Sequence, residues 1–398
     1  MSKVSIQEIT LTNIGDAIRE KTGKTALIAP GDMPAEIRSI VSGGGGESGN
    51  CNGLHVPEEA LVISGNCEDR FAYGGWDWFI NNYKDYITTK DITEGANMFY
   101  MTTDLDIIPF ALNFKSGSAV ATNYMFASTN ASFIGPLNNL KPMNMQQMFS
   151  YCRKLKELPV INNWDWSGIE NATSAYTGQM NGLFLSCHCL RTIPQEWLSH
   201  VNPKVSYSYY YTSLFEECNS LEIVENISVP TGTAWTSNAF NKTFAKCIRL
   251  KKFTFAMQED GSPYVVRWKN QIIDFTTTGY KGSGNISWDF TDDTKIADFS
   301  DWRGYTQWRD GNLNNPDGWT NEIGWSVFSR TAATELINTL PDASAYLATS
   351  GGTNTIKFKT GAGASVMEGQ PYPSENISEL DEETIALASA RGWTIAFA

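Results

Sequence analysis

The sequence predicts a β-rich α/β repeat solenoid, opened by a short helical N-terminal anchor and closed by a C-terminal helix-strand cap. Three observations predict it. A twelve-residue template, [ML]-F-x-x-C-x-x-L-x-x-[IL]-P, recurs as MFYMTTDLDIIP (98–109), MFASTNASFIGP (125–136), MFSYCRKLKELP (148–159), LFLSCHCLRTIP (183–194), LFEECNSLEIVE (214–225) and TFAKCIRLKKFT (243–254). Its phenylalanines stand 27, 23, 35, 31 and 29 positions apart, within the range of solenoid repeats. A spacing of three fits neither a strand nor a sustained helix, so each window should turn inward, cross the core and leave it.

The elements follow in order. Residues 1–42 read as two short amphipathic helices. In the first, Thr12 is placed as N-cap, Ile14, Ala17 and Ile18 form the apolar face and Gly23 follows the end; in the second, Asp32 caps, Pro34 sits in the first turn and Ile37, Ile40 and Val41 form the face. Helices this short are marginal alone, so both faces, six apolar residues in all, must dock on something, within an oligomer or on another protein. The run SGGGGESGN makes 43–50 a flexible linker. Residues 51–97 are read as the cap that begins the stack and 98–255 as the repeats.

One repeat cannot bury both its faces alone, and stacking solves this. Phe99, Phe126, Phe149, Phe184, Phe215 and Phe244 should each pack on the next. Cys152, Cys187, Cys218 and Cys247 should stack likewise, with Thr102 and Thr129 at the same place in the first two windows. Leu155, Leu190, Leu221 and Leu250 lead into segments that should pair as short parallel strands. A cysteine here acts as a small hydrophobe rather than a redox group. Seven cysteines in a chain that opens without an export signal also argue for reduced thiols.

These repeats, with intervening text such as NNWDWSGIENATSAY (162–176), resemble the BspA-like bacterial surface type of leucine-rich repeat. LTNIGDAIREKTGKTALIAPGDMPAEIRSI (11–40) looks like the helical leader that precedes a glycine linker in many tail proteins of bacteriophages and prophages. GNCEDRFAYGGWDWFINNYKDYITTKDITEGANMF (65–99) and ELDEETIALASARGWTIAF (379–397) look like the segments that begin and end the repeats in such proteins. The resemblance implies a leucine-rich-repeat-like fold and a virion tail protein assembled in the host cytoplasm and acting at the bacterial cell surface. It also implies other tail or baseplate proteins as partners and a homo-oligomer, a trimer by analogy with tail fibres.

Residues 256–326 depart from the template. They are rich in tryptophan among Gly, Asn and Asp and are read as an aromatic insertion; repeat character returns in 327–398, with Thr331 placed to cap a short helix. At the end Asp381 is an N-cap, Gly392 stands at C′, and Trp393, Ile395 and Phe397 alternate as a strand.

A net charge of −13 disfavours polyanionic partners, so no nucleic acid is expected, and no apolar run is long enough to insert into a membrane. Catalytic signals are thin. Cys187-His188-Cys189 lacks a second ligand pair at zinc spacing, and His188 is expected on the surface. Gly23-Lys24-Thr25 lacks the glycines of a phosphate loop, and three histidines form no triad pattern. Asp289, Asp292, Asp293, Asp298 and Asp301 beside tryptophans leave a glycan depolymerase as one alternative, and a cell-surface leucine-rich-repeat adhesin as another. No cofactor or metal is expected.

Binding is the better use of the aromatic residues, because they give contact area at low entropic cost. The expected receptor contacts are Tyr207, Tyr209, Tyr210 and Tyr211 in SYSYYYTS (206–213), then Trp302, Tyr305, Trp308 and Trp319 in the insertion. The receptor, glycan or protein, would be a bacterial surface molecule.

Overall fold

The computed structural model describes residues 62–275, apart from 75, 172–179, 201–210, 230, 232–239, 241, 246 and 248–249, together with 328–358 and 380–397. The anchor residues Ile14, Ala17, Ile18, Ile37, Ile40 and Val41 lie outside the described residues, as do Tyr207, Tyr209, Tyr210, Trp302, Tyr305, Trp308, Trp319 and the aspartates from Asp289 to Asp301.

The chain runs in successive coils joined to one another by parallel pairing. β1 (Val62–Asn66) pairs with β2 (Thr88–Glu94), with helix α1 (Asp77–Tyr83) between them. The next three coils carry β3 (Ile107–Ile108), β4 (Leu112–Asn113) and β5 (Ala119–Ala121); β6 (Phe133–Ile134), β7 (Leu137–Asn138) and β8 (Lys141–Asn144); then β9 (Ile161–Asn162) and α2 (Ser167–Glu170). They stack as β3-β6, β4-β7-β9 and β5-β8, every pair parallel. β10 (Ile223–Ile227) pairs with β11 (Lys252–Phe255), and β12 (Ile272–Asp274) with β13 (Asn354–Phe358) and β14 (Trp393–Phe397), again all parallel. Helices α3 (Arg330–Asn338), α4 (Ser344–Ser350) and α5 (Glu382–Ala390) complete the C-terminal part. Among the described residues no helix is long and apolar enough to cross a membrane.

The template phenylalanine is the middle of a turn with a fixed backbone pattern. Two residues before it φ is positive at Asp69, Asn97, Tyr124, Gln147, Gly182, Ser213 and Lys242, and two residues after it φ is positive at Tyr73, Met101, Ser128, Tyr151, Ser186 and Glu217. Alternating hands send every second N–H to the neighbouring coil. Asn97, Phe99 and Met101 donate to the carbonyls of Asn123, Met125 and Ala127 at 3.0, 2.7 and 2.9 Å, while Met98 and Tyr100 donate back within their own turn to Gly95 and Asn97. Each left-handed non-glycine residue costs about 1–2 kcal/mol. Three inter-coil hydrogen bonds per turn, with the aromatic packing beneath them, offset that cost.

Below this backbone ladder runs a column of rings. Phe71, Phe99, Phe126, Phe149, Phe184, Phe215 and Phe244 follow one another with centroids 5.1, 5.6, 5.3, 6.0, 5.7 and 5.6 Å apart and nearly parallel planes. Phe275, Phe358 and Phe397 continue it at 5.4, 5.7 and 6.4 Å. Trp197, fully buried, fills the wider gap by packing edgewise on Phe149 and Phe184.

The cysteines do more than fill space. Sγ of Cys152, Cys187, Cys218 and Cys247 lies 3.0, 3.0, 3.0 and 2.9 Å from the carbonyl oxygen of Phe126, Phe149, Phe184 and Phe215 in the preceding coil, so each thiol donates a weak hydrogen bond across the stack. Thr102 and Thr129 use their hydroxyls in the same place, 2.9 Å from each other. Burial, reinforced by the neighbouring thiol, pushes Cys187, Cys218 and Cys247 well above the ordinary thiol range. They stay protonated and donating, and they are poor nucleophiles.

A second ladder runs on the outer side of β4-β7-β9. Asn162 Nδ2 donates to Asn138 Oδ1 and Asn138 Nδ2 to Asn113 Oδ1, both at 2.8 Å, and Asn113 Nδ2 ends on Thr89 at 3.0 Å from its carbonyl. Two glycines let neighbouring coils approach: a Cβ on Gly135 would meet the Phe110 carbonyl, and one on Gly168 the Pro142 carbonyl.

Several expectations change. Residues 62–74 already form a turn of the repeat, since Phe71 stacks on Phe99. Residues 256–275, assigned to the insertion, supply β12, Phe275 and the buried Trp268. The cap of α3 is Ser329, whose Oγ accepts from Ala332 N at 3.1 Å, rather than Thr331. Serine stands where the backbone is still extended, with φ −70° and ψ 158°, which a cap requires. Asp381 caps α5, accepting from Thr384 N at 2.7 Å, and Arg391 Nη1 donates to the carbonyls of Ile337, Asn338 and Leu340, satisfying the end of α3.

Candidate recognition surface

The inward positions of each turn are taken up by packing, so the surface open to a partner is what the turns push outward. Tyr73 is 70% exposed and meets the half-buried Tyr100 edge to face at 5.6 Å, which meets Tyr124 at 6.1 Å. Tyr151, 38% exposed, carries the Arg153 guanidinium 5.4 Å above its ring. Tyr73, Tyr100 and Tyr124, on three consecutive turns, thus form a run of touching rings, and Tyr151 stands on the fourth turn at the same place in it as Tyr73.

Three of them, Tyr73, Tyr124 and Tyr151, occupy the left-handed places, with φ 64°, 56° and 61°. Elsewhere these places hold Asp69, Asn97, Gly182, Ser128 or Ser186, whose small or locally bonding side chains bear that backbone more cheaply, and also Met101, Gln147, Glu217 and Lys242. Repetition in every coil shows the conformation belongs to the scaffold.

Of the expected receptor contacts, only Tyr211 falls among the described residues, and its exposure is corrected. It is 1% exposed, its hydroxyl donates to the Ser228 carbonyl at 2.7 Å, and its ring lies 5.4 Å from Phe240. Tyr211 stands four residues before Phe215, and the same offset holds buried Cys67, Thr122, Met145, Met180 and Phe240. That second inward column was the signal available in the sequence. His188 is likewise fully buried instead of on the surface, because the residue after the template cysteine is turned in here with its neighbours.

Catalytic geometry is sparse. His200 Nδ1 meets Glu170 Oε1 at 2.6 Å and stacks on Trp166 at 4.5 Å, a carboxylate-imidazole pair of the kind that orients a base. The adjacent Ser199 hydroxyl donates instead to the Gln195 carbonyl, so the pair serves to pin the segment after Trp197 onto α2. Lys141, 2.8 Å from Asp165, holds that exposed carboxyl down to about 2 together with the Ser167 hydroxyl. Among the described residues no group of three or more His, Cys, Asp or Glu is placed to hold a metal ion.

Asp77 is 2% exposed, with Oδ2 accepting from Asp104 N at 2.9 Å and Oδ1 buried without a hydrogen-bond partner. Desolvation raises its pKa, opposed by the Asp104 N–H and reinforced by the Asp104 carboxylate. A raised native value means the contribution to stability is present below the unfolded pKa of about 4 and is lost as pH rises through the native value. Asp77→Asn keeps the acceptor for Asp104 N. It should therefore match or exceed the parent in thermal stability at pH 7, with the advantage shrinking towards pH 4; a variant less stable at pH 7 would contradict this.

No family model, no curated protein and no solved structure matches this chain.

Proposed function

We propose that this chain is a receptor-binding protein of a phage or prophage tail, attached to the virion through its N-terminal residues and recognising a bacterial surface molecule through the outer face of a leucine-rich-repeat-like solenoid. The observation that carries the reading is the set of outer tyrosines, with Tyr73, Tyr100 and Tyr124 in ring contact on consecutive turns and Tyr151 on the next, Tyr73 and Tyr151 being exposed. Rigid aromatic side chains on a stiff stack give contact area with little ordering cost. Residues 1–42 would supply the anchor and 43–50 the reach, and several copies on one tail would turn weak contacts into avidity. No catalytic step is part of this reading.

The test compares residues 1–398 with residues 50–398 by oligomeric mass and by binding of each, fluorescently labelled, to a panel of intact bacteria. The full chain should be oligomeric, the truncation monomeric, and both should bind the same strains, the oligomer more tightly. A monomeric full chain removes the anchor; absence of binding to any strain removes the receptor reading.

A further inference from the structure

A second surface is a groove at one end of the asparagine ladder. An open groove of about 390 Å³ lies where β2 crosses the segment before β4, with Lys84, Asp85 and Thr88 on one side and Pro109, Phe110 and Asn113 on the other. That volume is within the range of small-ligand sites. The groove's apolar lining is the half-buried Pro109 and the small surface part of Phe110, which is 8% exposed, set beside hydroxyl, ammonium and carboxylate groups. This is the pairing that takes a pyranose ring, whose faces are apolar and whose rim is hydroxyl.

Asn113 in the groove is also the first amide of the ladder that continues through Asn138 to Asn162. A side-chain amide carries two N–H donors and two acceptor lone pairs. The ladder uses one donor of Asn138 and of Asn162, leaving each a second N–H for a ligand; Asn138 is half-buried and Asn162 exposed. Parallel coils bring such amides round about every 4.8 Å. This is close to the length that one sugar unit adds to an extended chain, so a polymer leaving the groove along the stack would present hydroxyls to successive amides. The net charge of −13 sets the sign: a polyanionic glycan would be repelled.

We infer that the groove at Lys84, Asp85 and Thr88, extended by the Asn138 and Asn162 amides, binds a neutral, hydroxyl-rich polysaccharide chain running along the stack. The inference takes its biological setting from the receptor-binding reading, but the binding itself is tested without cells. The probe is an array of neutral hexasaccharides of glucose, galactose, N-acetylglucosamine and rhamnose, with a uronic acid hexamer for comparison, against the full chain. Saturable binding to at least one neutral glycan and none to the uronic acid is expected. Thr88→Trp, at an exposed position that would plug the groove, should abolish it. Asn162→Ala should weaken it about tenfold, as the loss of one good hydrogen bond would, while Tyr73→Asn should leave it unchanged. Thr88→Trp and Tyr73→Asn should retain the parent melting temperature.

The inference is overturned if no neutral glycan binds, if the uronic acid binds as well, or if Thr88→Trp binds like the parent. Should cell binding survive Thr88→Trp while the glycan array is blank, the receptor reading stands and the track alone falls. Should the glycan bind while no bacterium does, the reverse holds.

Discussion

Phe149→Ala is expected to lower unfolding free energy by about 3–5 kcal/mol, the range for emptying a large aromatic side chain from a packed core. The ring is fully buried and touches Phe126 at 5.3 Å, Phe184 at 6.0 Å and Trp197 at 5.5 Å, so its loss leaves a hole bounded by other rings that cannot move without breaking their own stacks. In a stack whose units touch chiefly their neighbours, a defect in mid-column also weakens the coupling between the coils on either side. Chemical denaturation should therefore show an earlier midpoint and a transition splitting in two. Phe133→Ala, at a ring 51% exposed, should change stability by less than about 0.5 kcal/mol. If the two variants cost the same, the column is not what holds the coils together.

The second large effect concerns closeness of coils. Gly168→Ala sets a methyl against the Pro142 carbonyl, and Gly135→Ala one against the Phe110 carbonyl. Backbone cannot turn aside as a side chain can, so adjacent coils must separate, at a cost of about 1–3 kcal/mol or more for overpacking. Gly117 and Gly261 provide the comparison. A Cβ there meets nothing within 4 Å, and only the left-handed φ of 76° and 78° opposes alanine, at about 1–2 kcal/mol. Melting temperatures should fall more for Gly168→Ala than for Gly117→Ala. The reverse order would mean that the stack tolerates wider spacing than its hydrogen bonds allow.

Much of the interior was legible because it is periodic. Phe99 through Phe244 stand out in the sequence as a recurring letter, and the structure stacks those same residues. Asp381 and Gly392 at α5 follow from local chemistry alone: a side-chain acceptor for Thr384 N and a φ of 80° that glycine bears without strain. Phe71, Phe275, Phe358 and Phe397 were harder to see, because the residues around them do not match the template even though the rings join the same column. Their register depends on pairing across distances that the sequence does not reveal.

The outer surface was read less well, and Tyr211 shows why. Alternating Ser and Tyr look solvated, yet a tyrosine goes inside when its hydroxyl finds a carbonyl such as that of Ser228. Exposure of Tyr73 and Tyr151 depends on the left-handed places beside each phenylalanine, and no single residue type marks those. The Asn113-Asn138-Asn162 ladder left only a faint trace, an asparagine after a buried or half-buried leucine or isoleucine in three coils.

Binding of the triple variant Tyr73→Asn, Tyr124→Asn, Tyr151→Asn to intact bacteria tests the account most directly. Asparagine suits the left-handed backbone better than tyrosine, so the melting temperature should be unchanged or higher. Binding to the strains recognised by the parent should fall at least about tenfold, as expected when aromatic contacts are lost from a recognition surface. Undiminished binding by a stable triple variant would contradict the assignment of recognition to these tyrosines.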